Sequence, residues 1–218
     1  MQLPFTTREF FDVFESYNTG IAIAQIIAYA LGCITVILAR KADLQRSRVI
    51  VALLALFWFW IGIFYHIMHF AQINPAARSF GAMFVAQGLI FLIAGCVYGK
   101  LRFSFKRRPI PLVGVVFIVY AMAIYPAIGA LFGHMYPRCP VFGVAPCPTV
   151  IFTFGLLLWT STPVPMYVLI IPFLWSLIGF SAALRLGVPQ DYGMVVAGIL
   201  GTILIILKNR RLRSCSGN

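Results

Sequence analysis

Residues 49–70 read VIVALLALFWFWIGIFYHIMHF, a run without aspartate, glutamate, lysine or arginine. A helix rises about 1.5 Å per residue, and about 20 apolar residues are needed to cross the hydrocarbon, where each backbone amide must be bonded within its own segment. This run meets that length. Outward from it, comparable runs cover 20–39, 79–99, 111–132, 149–160, 166–184 and 193–207. The fifth and seventh are short. Run 149–160 ends at Ser161-Thr162-Pro163-Val164-Pro165, where two prolines remove amide donors and stop a regular helix. It is expected as a short or partly re-entrant helix.

Composition leads to the same class. Of 218 residues, 61% are apolar and 10% are charged, against about 45–50% and about 25% in soluble domains. A soluble globular protein is excluded. The expected fold is all-α, a polytopic transmembrane bundle of about seven helices forming one integral-membrane domain over 1–218. Within it, 1–18 forms an interfacial helix, 19–207 the bundle and 208–218 a basic tail.

The chain carries seventeen bases and five acids, a formal charge of +12. Short cytoplasmic loops hold an excess of Lys and Arg. With loop 40–48 assigned inside, it contributes Arg40, Lys41, Arg46 and Arg48. Loop 100–108 adds Lys100, Arg102, Lys106, Arg107 and Arg108, and the tail adds Lys208, Arg210, Arg211 and Arg213. Only Arg8, Arg78, Arg138 and Arg185 fall outside, with Glu9, Asp12, Glu15 and Asp191. The expected topology is N-terminus out and C-terminus in, so either 149–160 crosses or its neighbour also fails to. The basic charge is thus a topology signal, and nucleic acid is not an expected partner.

No signal peptide is visible, since the first fifteen residues carry acids and lack a basic-then-apolar order. Thr6-Thr7-Arg8-Glu9 instead fits a capping box, followed by Phe10, Val13, Phe14 and Tyr17 at helical spacing. Close helix packing in lipid needs small residues on one face. They recur as Gly20, Ala24, Ala28 and Gly32, as Gly81, Gly88 and Gly95, and as Gly193, Ala197 and Gly201. Pro126 and Pro172 interrupt two helices and are expected to shape a path beside a cavity. No charged side chain lies deeper in the spans than the last turn, which disfavours a proton-relay carrier and a retinal protein. Gln25, Gln87, Thr153, Ser176, Ser181 and Thr202 remain to bond neighbouring backbone, and Trp58, Trp60 and Trp175 lie near mid-depth.

Ligand-type residues gather at the outer end. His66 and His69, at i and i+3, are expected on one face of the second span; His134 closes the fourth, and Asn74, Cys147 and Asp191 fall on the same side. His66, His69, Asn74, His134, Cys147 and Asp191 form the expected vestibule. Imidazole and thiolate suit zinc or copper, so His66, His69, His134 and Cys147 are the candidate metal ligands, although their spacing matches no zinc-finger pattern. A bis-imidazole haem between His66 or His69 and His134 is a second arrangement. Satisfied polar caps and a Cys139–Cys147 disulfide are the structural alternatives. Cys33, Cys96 and Cys215 read as packing or tail thiols. No phosphate loop, Gly-x-Ser-x-Gly or His-Glu-x-x-His is present, so no catalytic residue is assigned.

Several segments resemble a family of bacterial inner-membrane proteins known only as a domain of unknown function. They are Pro4-Phe5-Thr6 through Tyr17-Asn18, Tyr65-His66 with Ile73-Asn74-Pro75-Ala76-Ala77, Gly133-His134-Met135-Tyr136-Pro137, and Phe142-Gly143-Val144-Ala145-Pro146-Cys147-Pro148-Thr149-Val150-Ile151-Phe152-Thr153. The resemblance implies a polytopic protein of the bacterial inner membrane, with Cys147 and not Cys139 in the pattern. That favours Cys147 as a ligand or lone thiol. The expected function is transport or a channel-like path for a small solute or metal ion. The alternatives are a haem- or metal-binding redox protein and a non-catalytic accessory protein. The expected partners are the lipid bilayer and the solute, and the sequence leaves open whether copies form a homo-oligomer.

Overall fold

The computed structural model describes residues 4–41 and 43–214. It is a helical bundle; among the described residues no strand forms, and Phe103 and Thr160 make one isolated antiparallel bridge. The elements are α1 (Thr7–Gly20), α2 (Ala22–Leu38), α3 (Leu44–Trp60), α4 (Ala77–Phe91), α5 (Pro109–Val119), α6 (Tyr125–Leu131), α7 (Pro146–Leu157), α8 (Tyr167–Leu186) and α9 (Tyr192–Ser214). π-Helical turns extend α3 through Ile61–His69 and α4 through Leu92–Val97, and join α5 to α6 through Tyr120–Ile124. Five helices are long and apolar enough to cross a membrane, and α1 with α2 adds a sixth if that bent pair is one span. The two meet at 85°, so α1 lies across the end of the bundle.

Sequence explains where α1 begins. The amide of Glu9 donates to the Thr6 hydroxyl at 3.2 Å, and the Thr6 amide donates to the Glu9 carboxylate at 2.7 Å, the two halves of a capping box. The exterior of the bundle is apolar: Ile23, Ile26, Val116, Leu131 and Ile170 are more than half exposed. Water-facing surfaces rarely present so much contiguous aliphatic area, whereas lipid accepts it.

α7 is the centre. All twelve of its residues are buried, packed against α3, α5, α8 and α9. At about 18 Å it is shorter than the hydrocarbon thickness, yet it still links the two ends. Its N-terminal side meets α1, where the Tyr17 hydroxyl donates to the Val144 carbonyl at 2.9 Å. Its C-terminal side runs beside loop 100–108: the Ser104 amide donates to the Trp159 carbonyl at 2.9 Å and the Ser161 amide to the Arg102 carbonyl at 2.7 Å. The segment therefore runs from end to end and does not turn back. Non-helical residues flank it on both sides, a turn before Pro146 and an irregular stretch after Leu158, and protein neighbours bond their backbone where lipid could not.

The small residues make close crossings. Gly81, Gly88 and Gly95 face Ile67, Phe59 and Val51 of the α3 rod. A side chain at Gly62 would meet the Gly81 carbonyl at 2.8 Å, and one at Gly114 the Gly155 carbonyl at 2.6 Å. Gly201 meets Phe154 of α7, but Gly32 meets Phe142 of a loop, and nothing approaches Gly20.

The last helix runs on past 207 at the other terminus. The tail expected from 208 is helical through Ser214, and Lys208 is buried. Its ammonium donates to the Leu157 carbonyl at 2.8 Å, the Thr160 carbonyl at 3.1 Å and the Thr160 hydroxyl. These acceptors lie at the end of α7, where the last carbonyls of a helix lack intrahelical donors. Apolar packing of α9 against α7 carries Lys208 inward to them. Cys215 lies outside the described residues.

Candidate functional site: an aromatic chamber

The π-helical segment sets the site. In a π-helix the bonds run i to i+5, so each residue advances by a smaller angle and i+3 falls well short of a full turn. His66 and His69 therefore do not share a face as expected. His66 points inward and is fully buried. His69 has its Nδ1 2.7 Å from the Phe64 carbonyl and its ring edge-on to Tyr17.

His66 lines a cavity of about 140 Å³ with Asn74, Cys147, Trp175 and Asp191. Phe5, Phe10, Phe14, Tyr65, Phe70 and Phe80 supply aromatic wall. The phenylalanines of the N-terminal segment and α1 roof it, π-segment and α4 residues form one side, and α8 and the start of α7 form the other. The His66 ring centroid lies 4.8 Å from that of Phe84 and 5.0 Å from that of Trp175.

Neither ring nitrogen of His66 has a hydrogen-bond partner among the described residues, and the buried Trp175 Nε1 has only the weakly accepting Cys147 sulfur beside it. Buried polar atoms are ordinarily bonded, because an orphan costs about 1–3 kcal/mol. Here the orphaned imidazole and the weakly bonded indole border the same cavity. Beside them the Cys147 thiol lies against the Asp191 carboxylate, and the Tyr125 hydroxyl donates to Asp191 Oδ1. The chamber thus offers an imidazole, an indole N–H donor and a carboxylate within an aromatic wall. Such a set holds a compact organic molecule by ring contact and orients it by a few polar bonds.

Of the expected vestibule, His66, Asn74, Cys147 and Asp191 come together; His69 and His134 do not join them. The His134 ring packs on Phe11 at 4.4 Å between centroids, and its Nδ1 lies 3.1 Å from Gln190 Nε2. Among the described residues no group of three or more His, Cys, Asp or Glu is placed to hold a metal ion. The His66, His69, His134 and Cys147 set is therefore not assembled, and the residues present do not fit that centre. Cys139 and Cys147 are free thiols. Burial pushes the Cys139 thiol up to about 11. Pro126 borders a separate open cleft with Gln25 and Tyr136, and Pro172 is buried within α8. Neither lines the chamber.

Sequence reasoning missed the roof and Tyr125. Their hydrophobic spacing is that of ordinary packing; only the bend between α1 and α2 brings the roof over the site, and Tyr125 reaches Asp191 from α6. The Arg138 guanidinium holds that roof, 2.6 Å from Asp12 and 3.2 Å from Glu15. The Asn18 amide adds bonds to the Pro137 and Cys139 carbonyls at 2.6 and 2.8 Å.

Fold and chamber define an all-α bundle of membrane-length apolar helices with a small aromatic cavity at one end. The chain belongs to the family of unknown function DUF6064, matched over residues 7–216. No curated protein and no solved structure matches it.

Proposed function

We propose that this chain is a multi-pass protein of the bacterial inner membrane, of the transport or channel-like class, that recognises a small organic solute in the aromatic chamber. The observation that carries the reading is the buried His66 imidazole, both of whose nitrogens lack a partner among the described residues, on one cavity wall with the Trp175 indole. The space of about 140 Å³ is close to that of a cavity known to accept benzene, so the solute is of single-ring size. A hydroxyl or amine on it would bond to His66 or Asp191, and an acceptor on it would take the Trp175 N–H. Charge distribution supports an orientation with the chamber outside, since thirteen of the seventeen bases lie towards the opposite end.

Cys147 provides the test. In the full chain with Cys33, Cys96, Cys139 and Cys215 changed to alanine, a maleimide reports access to Cys147. Phenol, aniline and benzylamine serve as single-ring probes. At least one of them is expected to slow labelling severalfold at saturation. Labelling at the same rate with every probe overturns the reading.

A further inference from the structure

At the opposite end, a second cavity of about 210 Å³ lies between the start of α5 and the end of α9. Its wall carries Lys106 and Arg108 from the loop before α5 and Lys208 and Arg211 from α9. No acid lines it, and among the described residues the ion pairs at this end are confined to Arg46 with Asp43.

The helix terminus adds to that field. α5 begins at Pro109, and its N-cap, Arg108, supplies no side-chain acceptor. Pro109 and Pro111 have no N–H, and the Leu112 amide is bonded to the Arg108 carbonyl at 3.1 Å. The Ile110 amide is thus left at the positive end of the helix dipole, on the wall of the cavity. Amide, dipole and basic side chains together are the elements of a phosphate-binding site. Lys208 in the floor gives its N–H donors to Leu157 and Thr160, so the exposed bases Arg108, Arg211 and Lys106 carry the charge that faces the cavity, and Ile110 and Pro111 present an apolar edge.

We infer that this cavity is a binding site for a phosphate-bearing anion, held by Arg108, Arg211 and Lys106 over the Ile110 amide. The charge asymmetry that orients the chain does not by itself require bases to line a cavity at an uncapped helix start. Two sources share the chemistry, the headgroup of an anionic phospholipid and free phosphate.

The experiment is native mass spectrometry of the full chain, delipidated in detergent, titrated with phosphatidylglycerol, with inorganic phosphate and with uncharged diacylglycerol. Wild type is expected to hold one phosphate-bearing ligand at saturation. The Arg108→Gln/Arg211→Gln variant is expected to bind it about tenfold or more weakly, with unchanged helicity by circular dichroism. Arg78→Gln, exposed at the other end, is expected to bind as wild type. Phosphatidylglycerol alone binding identifies the headgroup, and competition by inorganic phosphate identifies the free anion. Equal affinity in the double variant, equal binding of diacylglycerol, or no adduct with either phosphate overturns the inference.

Discussion

The Nζ of Lys208 lies 2.8 Å from the carbonyl oxygen of Leu157, so a side chain of the last helix caps the central one. N–H donors at a helix C-terminus oppose the negative end of the dipole, and here they join the Thr160 amide and hydroxyl on the Leu157 carbonyl. Lys208→Met keeps the length and removes the donors. It is expected to lower stability in detergent by about 1–3 kcal/mol, read as a fall in Tm. An unchanged Tm would show that the buried carbonyls need no cap.

The crossing of α5 and α7 depends on Gly114 and Gly155. A Cβ at Gly114 would come within 2.6 Å of the Gly155 carbonyl and 2.8 Å of the Trp159 ring. Gly114→Ala should therefore destabilise by about 1–3 kcal/mol through overpacking. Gly20→Ala, with nothing within 4 Å of the added carbon, should be neutral or stabilising. Thermal melts of the pair decide it, and equal effects would contradict the packing described.

Arg138 should control the roof. Exposed ion pairs contribute about 0.2–1 kcal/mol each, so Arg138→Ala is expected to speed maleimide labelling of Cys147 about two- to fivefold at unchanged helicity. If the rate stays the same, α1 is not the barrier to the chamber.

The capping box makes the start of α1 sensitive to pH. The bond from the Thr6 amide holds the Glu9 carboxyl below its ordinary 4.5. A group with a lowered folded pKa stabilises fully above its unfolded value, and that contribution fades as pH falls through the folded one. Amide exchange in the first turn of α1 should therefore accelerate below about pH 4.5 relative to the Glu9→Ala variant, in which the dependence is absent. Matching profiles would remove Glu9 from the cap.

Much of the architecture was legible because hydrophobic run length reports directly on helices that need no water. The runs at 49–70 and 79–99 fall on α3 and α4 with their π extensions, and Thr6 and Glu9 gave the start of α1. The site was legible only as a region. His66, Asn74, Cys147 and Asp191 could be assigned to one end, but the π-helical turn that separates His66 from His69 has no signature in a run of apolar residues. The register that carries Lys208 inward is likewise set by packing of α9 on α7, to which a count of terminal bases is blind.

The most direct test replaces the orphaned imidazole. His66→Phe keeps a ring against Phe84 and Trp175 while removing two unbonded nitrogens, so it is expected to raise Tm, by about 1–3 kcal/mol of added stability. Phenol, aniline and benzylamine are then titrated against both chains; a probe at a hundred times its Kd stabilises by about 2.7 kcal/mol. The account predicts that at least one probe raises the Tm of wild type and none raises that of the variant. A variant less stable than wild type, or one that answers the probes equally, would contradict a chamber built around His66 for a solute.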